Sequence, residues 1–216
     1  MKECCDDGTI AFIGQIMFAL QLFLAHITSY WLAVSCITLP WGRLERAQWP
    51  EAVGYEAAKV VLLNQFFYTS IYLVPFAYYP QPLPGWHGVW QFPALILLTD
   101  VVFYFMHRLV HSRYLYKRIH SVHHRFDIPI AVAALYAHPL EHIFVNVFAA
   151  VAPLFIVRAS PVVAFLWTAI ASANTVLAHS ATQTKDQHAL HHRFHQCNFG
   201  VGLMLIDRLA GTFRKV

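Results

Sequence analysis

Fourteen histidines stand in a chain of 216 residues, and their spacing says more than their number. His107 and His111 are four residues apart, which on a helix stacks two imidazoles on one face. His120, His123 and His124 form an H-x-x-H-H set, which His188, His191 and His192 repeat. His138 and His142 make a further i, i+4 pair, and His179 closes the last long apolar run. Each set can offer two or three nitrogens to one point. Adjacent histidines such as His191 and His192 point about 100° apart on a helix, so one set can serve two ions. Neutral imidazole is the commonest metal ligand. With so many imidazoles and few carboxylates nearby, one metal cannot use them all, and two can.

Imidazole suits zinc, copper, iron and nickel alike. A structural zinc wants four ligands and usually some thiolate. The four cysteines (Cys4, Cys5, Cys36 and Cys197) show no CxxC spacing, which disfavours a zinc ribbon and a disulfide framework. Two histidine-rich ions with open positions suit redox activation of dioxygen. The Glu and Glu-x-x-His pairs of a ferritin-like di-iron bundle are missing. A bis-histidine haem electron carrier is the main rival, but it leaves the H-x-x-H-H sets unexplained. A metal transporter would spread its histidines across the membrane, whereas these boxes cluster on one side. His26 and His87 belong to no set and are assigned no role.

Long apolar helices must position these sets. Hydrophobic residues make up 58% of the chain and charged residues 12%, with a mean hydropathy of +0.48. An ordinary soluble domain is roughly 45–50% apolar and about 25% charged. Residues 9–42, 60–99 and 159–184 carry no Asp, Glu, Lys or Arg, and crossing a hydrocarbon core takes ~20 mostly apolar residues. A secreted disulfide scaffold, a disordered chain and a soluble nucleic-acid binder are excluded. The expected spans run from about 10 to 39, ending at Pro40-Trp41-Gly42, from 57 to 79, ending in the proline-rich turn 80–85, and from 89 to 106. A helical hairpin follows over 143–177, broken at Arg158–Pro161, with Ser160 as cap and Pro161 at the first helical position. The fold expected is an all-α integral membrane protein with four to five transmembrane or hairpin helices and a cytosolic histidine-rich helical cap. Acidic Glu3, Asp6 and Asp7 and a long apolar run argue for a retained anchor rather than a cleaved signal, and Cys4 and Cys5 are candidate acylation sites. Of 15 Lys and Arg residues, 13 fall on the side of the histidine boxes and the C-terminal tail, which places that side in the cytosol. The net charge of +4 is thus an orientation signal and no argument for nucleic acid.

At these residues the sequence resembles the fatty acid hydroxylase/sterol desaturase superfamily. The resemblance lies in H-R-L-V-H (107–111), H-S-V-H-H (120–124), A-H-P-L-E-H (137–142), the lone His179 and H-A-L-H-H (188–192). Its flanks include Asp100, Tyr104, His107 and Arg108 in a D-x-x-x-Y-x-x-H-R pattern, then Asn198-Phe199-Gly200 and the run Asp207 to Thr212. It covers about residues 95–216 and is closest to the sterol C4-methyl oxidase branch. The division it implies is an anchor of membrane helices over 1–90 and a catalytic region over 91–216. It implies a membrane di-iron oxygenase that oxidises a C–H bond of a lipid (sterol, sphingoid base or fatty acyl chain) with O2, hydroxylating rather than desaturating. Zinc is a possible occupant after purification. His107, His111, His120, His123, His124, His188, His191 and His192 would be the metal ligands, joined by His138 and His179. His142 and His195 would stand outside the ligand set. Asp100 and Glu141 would be outer carboxylates orienting imidazoles, with helix packing as their alternative role. Every box is intact, which disfavours a member retained only for interactions. The chain has no G-x-G-x-x-G and no haem domain, so electrons would come from a separate cytochrome b5 or NAD(P)H reductase system. The lipid would enter sideways from the bilayer, and a eukaryotic host would place the protein in the endoplasmic reticulum.

Overall fold

The computed structural model describes residues 7–48, 50–80, 88, 90–180 and 187–215. Cys4, Cys5, His87 and most of the proline-rich turn lie outside the described residues. Among those described, all regular structure is helical. Five segments are long and apolar enough to cross a membrane: Gly8–Leu39, Ala52–Phe76, Gln91–Val110, Pro139–Val157 and Pro161–Ala178. The chain is an all-α integral membrane protein.

Helix α1 (Asp7–Gln48) has 42 residues, about 63 Å at 1.5 Å per residue and twice a hydrocarbon core of about 30 Å. The expected end at Pro40 is not observed, because the helix runs through it. Proline removes one rung of the ladder, a loss that helices in membranes tolerate. The second span is a composite. Helix α2 (Glu51–Leu63) passes through a π turn (Asn64–Tyr68) and a 3-10 turn (Thr69–Tyr72) into the short α3 (Leu73–Phe76). This irregular stretch carries buried polar side chains, Asn64, Gln65 and Thr69. Asn64 Nδ2 donates to the carbonyls of Leu135 (2.9 Å) and Ala137 (3.0 Å), pinning a non-helical segment that would otherwise lose its hydrogen bonds inside the protein.

Helix α4 (Gln91–Val110) ends at the first histidine pair and is followed by α5 (Arg113–Arg118) and a 3-10 turn (His120–Arg125). Helix α6 (Pro139–Glu141) leads through a π turn (His142–Val147) into α7 (Phe148–Val157), the first leg of the hairpin. Arg158 takes the left-handed conformation (φ 50°) at the bend, and Pro161 opens α8 (Pro161–Ala178). Ser160 makes no side-chain cap, contrary to expectation. Its backbone N–H instead donates to Gln91 Oε1 at 3.1 Å, tying the hairpin bend to the start of α4. Helices α9 (Gln187–Phe194) and α10 (Leu205–Ala210) complete the chain.

Two apolar cores hold the bundle. One joins Tyr30, Val34 and Ile37 of α1 to Ala57 and Val61 of α2 and to Phe126, Ile130 and Val176. The other joins Ala19 and Leu22 of α1 to Leu95, Leu154, Val163 and Trp167. Leu24, Ile156 and Val162 are 60%, 62% and 69% exposed, an outer apolar face that fits hydrocarbon rather than water.

Candidate metal centre

The histidines arrive from five places. The last turn of α4 supplies His107 and its C-cap supplies His111. The 3-10 turn supplies His120, His123 and His124, the C-cap of α8 supplies His179, and α9 supplies His188, His191 and His192. A 3-10 turn eclipses residues i and i+3, so the rings of His120 and His123 stack at 5.6 Å with 26° between planes. His188 and His191 stack in the same way, at 5.6 Å and 19°.

Nine imidazoles divide into two groups. His107, His111, His120, His124 and His191 form one, and His123, His179, His188 and His192 form the other. Within each, one nitrogen per residue lies within 4.8 Å of all the rest. The first group shows Nε2–Nε2 separations of 3.1 Å (His107–His120), 2.8 Å (His111–His120), 3.1 Å (His111–His191) and 3.1 Å (His124–His191). In the second, His123–His179 is 3.3 Å, His179–His188 2.9 Å and His188–His192 3.2 Å. The two H-x-x-H-H sets are used reciprocally. The first and third members of the earlier set join the first group and its middle member the second, and the later set does the reverse. The groups abut, with the rings of His124 and His192 4.7 Å apart.

The outer nitrogens settle what the inner ones can do. Nδ1 of His107 and His191 contacts the carbonyls of Phe199 (2.7 Å) and Cys197 (2.8 Å). Nδ1 of His123, His179 and His192 contacts those of Tyr136 (3.1 Å), Thr175 (2.8 Å) and Phe126 (3.0 Å). A carbonyl only accepts, so each Nδ1 carries the proton and each Nε2 turns a bare lone pair inward. His120 Nδ1 lies 2.8 Å from Glu141 Oε1, an ion-pair distance without hydrogen-bond geometry. Converging lone pairs cannot hydrogen-bond one another, whereas a cation between them satisfies all of them at once. Outer partners of this kind orient metal-bound histidines generally. The donor set therefore fits two histidine-rich metal ions.

Burial keeps these imidazoles neutral. It lowers His123 to about 4 and His179 to about 3. Burial, then the neighbouring His107, His195 and His123, take His111 to about 2. Burial and neighbouring histidines likewise hold His120, His124, His188, His191 and His192 well below the ordinary imidazole value.

His138 joins neither group. It is the N-cap of α6, and its Nδ1 accepts from Leu140 N at 3.2 Å. His142 is buried elsewhere, with Nε2 2.8 Å from Thr69 Oγ1. His195 lies outside the groups, 3.2 Å from Tyr116 OH and packed on the His124 ring. Asp100 touches no imidazole. Its carboxylate accepts from the backbone N–H groups of Met204 (3.0 Å) and Leu205 (2.9 Å), so of its two expected roles the structure shows packing. Glu141 is buried beside His120.

The sequence reading assigned no role to the frame behind His107 and His191. Asp207 accepts from Phe199 N (2.9 Å), Gly200 N (2.6 Å) and Thr212 Oγ1 (2.6 Å). Asn198, at φ 56°, donates from Nδ2 to the carbonyls of Gln187 (3.1 Å) and Arg214 (3.0 Å). Together they fix the turn whose Cys197 and Phe199 carbonyls hold the two histidines. A Cβ on Gly200 would lie 2.8 Å from Asp207 Oδ2 and 3.2 Å from Asp100 Oδ1, so only glycine fits. The signal was present in the flanking N-F-G and D-R-L-A-G-T runs, without a contact to explain it.

A cavity of about 390 Å3 lies between α1, α4, α7 and α8. His123, His179 and His188 of the second group line one part of it, while Leu22, Phe76 and Trp167 are among its apolar walls. Residues before 90, taken from sequence as an anchor, thus also build the cavity. His26, assigned no role from sequence, stands in its wall.

Membrane-spanning helices around a buried, metal-competent polyhistidine centre and an apolar cavity define a class of integral membrane protein. The chain belongs to the fatty acid hydroxylase family, whose model matches residues 92–212. It is 32% identical over 172 residues to "Fatty acid hydroxylase domain-containing protein 2" of Macaca fascicularis, covering 73% of this chain and 51% of that protein. It is 31% identical over 148 residues to "Methylsterol monooxygenase 2-2" of Arabidopsis thaliana, covering 61% and 55%. It is also 31% identical over 141 residues to a Delta(7)-sterol 5(6)-desaturase of Gibberella zeae, covering 61% and 40%. The matched region spans about half the length of these relatives. No solved structure matches the chain.

Proposed function

We propose that this chain is an O2-dependent lipid oxygenase with two iron ions, one in each histidine group, drawing two electrons per turnover from a separate cytochrome b5 or NAD(P)H reductase. The observation that carries the reading is the placement of the four-histidine group in the wall of the apolar cavity. Iron there supplies the activation of dioxygen and the removal of hydrogen from an unactivated C–H bond. The chain's own residues do the rest. Nε2 atoms of nine histidines hold the ions, and backbone carbonyls keep the protons on Nδ1. Glu141 orients His120. Apolar side chains such as Phe103 and Leu73 keep water from the reacting carbon and align a chain-like or ring-like lipid beside His179.

Hydroxylation is the favoured outcome, supported by the family description and by the monooxygenase among the relatives. A lipid of the sterol, sphingoid or fatty acyl class would enter from the bilayer. The basic residues on the side of the boxes support a cytosolic centre, in the endoplasmic reticulum of a eukaryotic host. Residues 91–216 would form the catalytic region and 1–90 its membrane support. The test is turnover by iron-loaded protein in nanodiscs under isotopically heavy dioxygen, with a reductase and a total lipid extract. Heavy oxygen in a lipid alcohol is the expected result. An alkene without label would shift the reading to desaturation, and no lipid oxidation with both ions bound would overturn it.

A further inference from the structure

The cavity wall treats its polar groups in two opposite ways. Around His26 the polar side chains are paired in series. Trp31 Nε1 donates to Gln65 Oε1 (2.8 Å), and Gln65 Nε2 donates to His26 Nε2 (3.3 Å). His26 Nδ1 then donates to Ser172 Oγ (2.8 Å), whose hydroxyl donates to the Thr168 carbonyl (2.7 Å). Such a relay ties α1, the π turn Asn64–Tyr68 and α8 together and asks nothing of a ligand.

Three other residues lining the same cavity each bury a polar atom that has no partner: Thr99 Oγ1, His142 Nδ1 and Asn146 Nδ2. Leaving such an atom unpaired is more costly than replacing it by an apolar side chain of the same shape. Thr99 is on α4, and His142 and Asn146 are four residues apart on the π turn that packs against it. π turns inside helices occur often at functional sites. His142 is 0% exposed, and its other nitrogen is occupied by Thr69.

We propose that Thr99, His142 and Asn146 recognise an oxygen function, a hydroxyl or carbonyl, on the lipid held in the cavity; this rests on the oxygenase reading of that cavity. Asn146 Nδ2 donates to the oxygen. The Thr99 hydroxyl can donate or accept, and so can His142 Nδ1 according to its tautomer, so a lipid hydroxyl can be met on both sides. The site therefore selects a lipid that carries a polar oxygen over an all-hydrocarbon one of the same length.

The probes are cetyl alcohol and hexadecane, equal in chain length and different by one oxygen, measured as binding to the metal-loaded full chain in nanodiscs. Wild type should prefer the alcohol by about tenfold or more, the value of roughly one net hydrogen bond. Asn146→Leu and Thr99→Val should each bring that preference towards unity while hexadecane binding stays unchanged, which also shows that the variants fold. Equal affinities in wild type, or an undiminished preference in both variants, would overturn the proposal. Because binding is read without turnover, the two readings fail separately. A preference without lipid oxidation counts against the oxygenase, and oxidation without a preference counts against the oxygen site.

Discussion

The two histidine groups differ less in composition than in what lies beside them. The four-histidine group sends His123, His179 and His188 into the cavity wall, while no member of the five-histidine group lines it. Three of its four members also have Nδ1 on a backbone carbonyl: Tyr136, Thr175 and Phe126. The five-histidine group is held more unevenly. His107 and His191 rest on the 197–199 turn, whereas Nδ1 of His120, 2.8 Å from Glu141 Oε1, and Nδ1 of His124 have no hydrogen-bond partner. An ion in the four-histidine group would be rigidly held and next to substrate. An ion in the five-histidine group would have more ligands and stand behind it.

The largest effect should therefore come from a substitution on the cavity side. His179→Ala removes one of four imidazoles, and we expect lipid oxidation to fall below detection with loss of about one of two ions by elemental analysis. His111→Ala leaves four imidazoles in its group and should cost activity while retaining more metal. Equal metal loss in both variants would break the proposed asymmetry.

Acid should act next most strongly, and on both groups. An imidazole held below its ordinary value takes up fewer protons when folded than when unfolded, so stability rises with pH across the interval between the two values. For His123 that interval runs from about 6.5 unfolded down to about 4 folded, and for His179 down to about 3. His123 alone corresponds to a loss on the order of 3 kcal/mol, complete by the lower value. Metal-free protein should thus lose thermal stability as pH falls from 7 to 4, and bound metal should oppose the loss. A melting temperature flat over that range in the metal-free protein would refute the burial of these groups as neutral imidazoles.

Glu141→Gln should come third. The amide keeps the size but replaces the carboxyl group that stands 2.8 Å from His120 Nδ1. An outer partner of this type is worth about 10–100-fold in metal affinity or activity. Glu141→Ala should lie at the upper end. The effect should fall on the five-histidine group, so that a competition titration shows one weakened ion and one unchanged.

Much of this centre could be read from spacing because helices and 3-10 turns bring i, i+3 and i+4 together. His107 with His111, and His188 with His192, fall into shared groups for that reason. The division of His123 from His124 was also foreseeable from the angle between neighbours. Elsewhere, spacing misled or was silent. The segment around Asn64–Tyr72 is apolar enough to pass for a plain span, and its π and 3-10 turns depend on Asn64 finding carbonyls 71 and 73 residues away. Asp100 sits on the face expected of an orienting carboxylate, yet the backbone of 204–205 reaches it first. The supports of His107 and His191 are carbonyls, which carry no residue identity, so only Gly200 and Asp207 betray them in sequence.

The smallest expected effect separates a ligand from its look-alike. His138 has the residue type and the i, i+4 partner of a box, and the superfamily resemblance placed it among the ligands. In the structure its imidazole is spent on the start of α6, accepting from Leu140 N at 3.2 Å, ahead of Pro139 at the first helical position. Its loss removes one cap bond, a matter of about 0.5–2 kcal/mol at an N-cap, and leaves both metal groups whole. His138→Asn should restore the cap, because asparagine is among the best residues there. Unchanged metal content in both variants, with slightly reduced stability in His138→Ala only, is the expected pattern. If His138→Ala instead loses an ion and His138→Asn does not recover it, His138 reaches the metal in the working enzyme, and the cap seen here would belong to a different arrangement of the 138–142 turn.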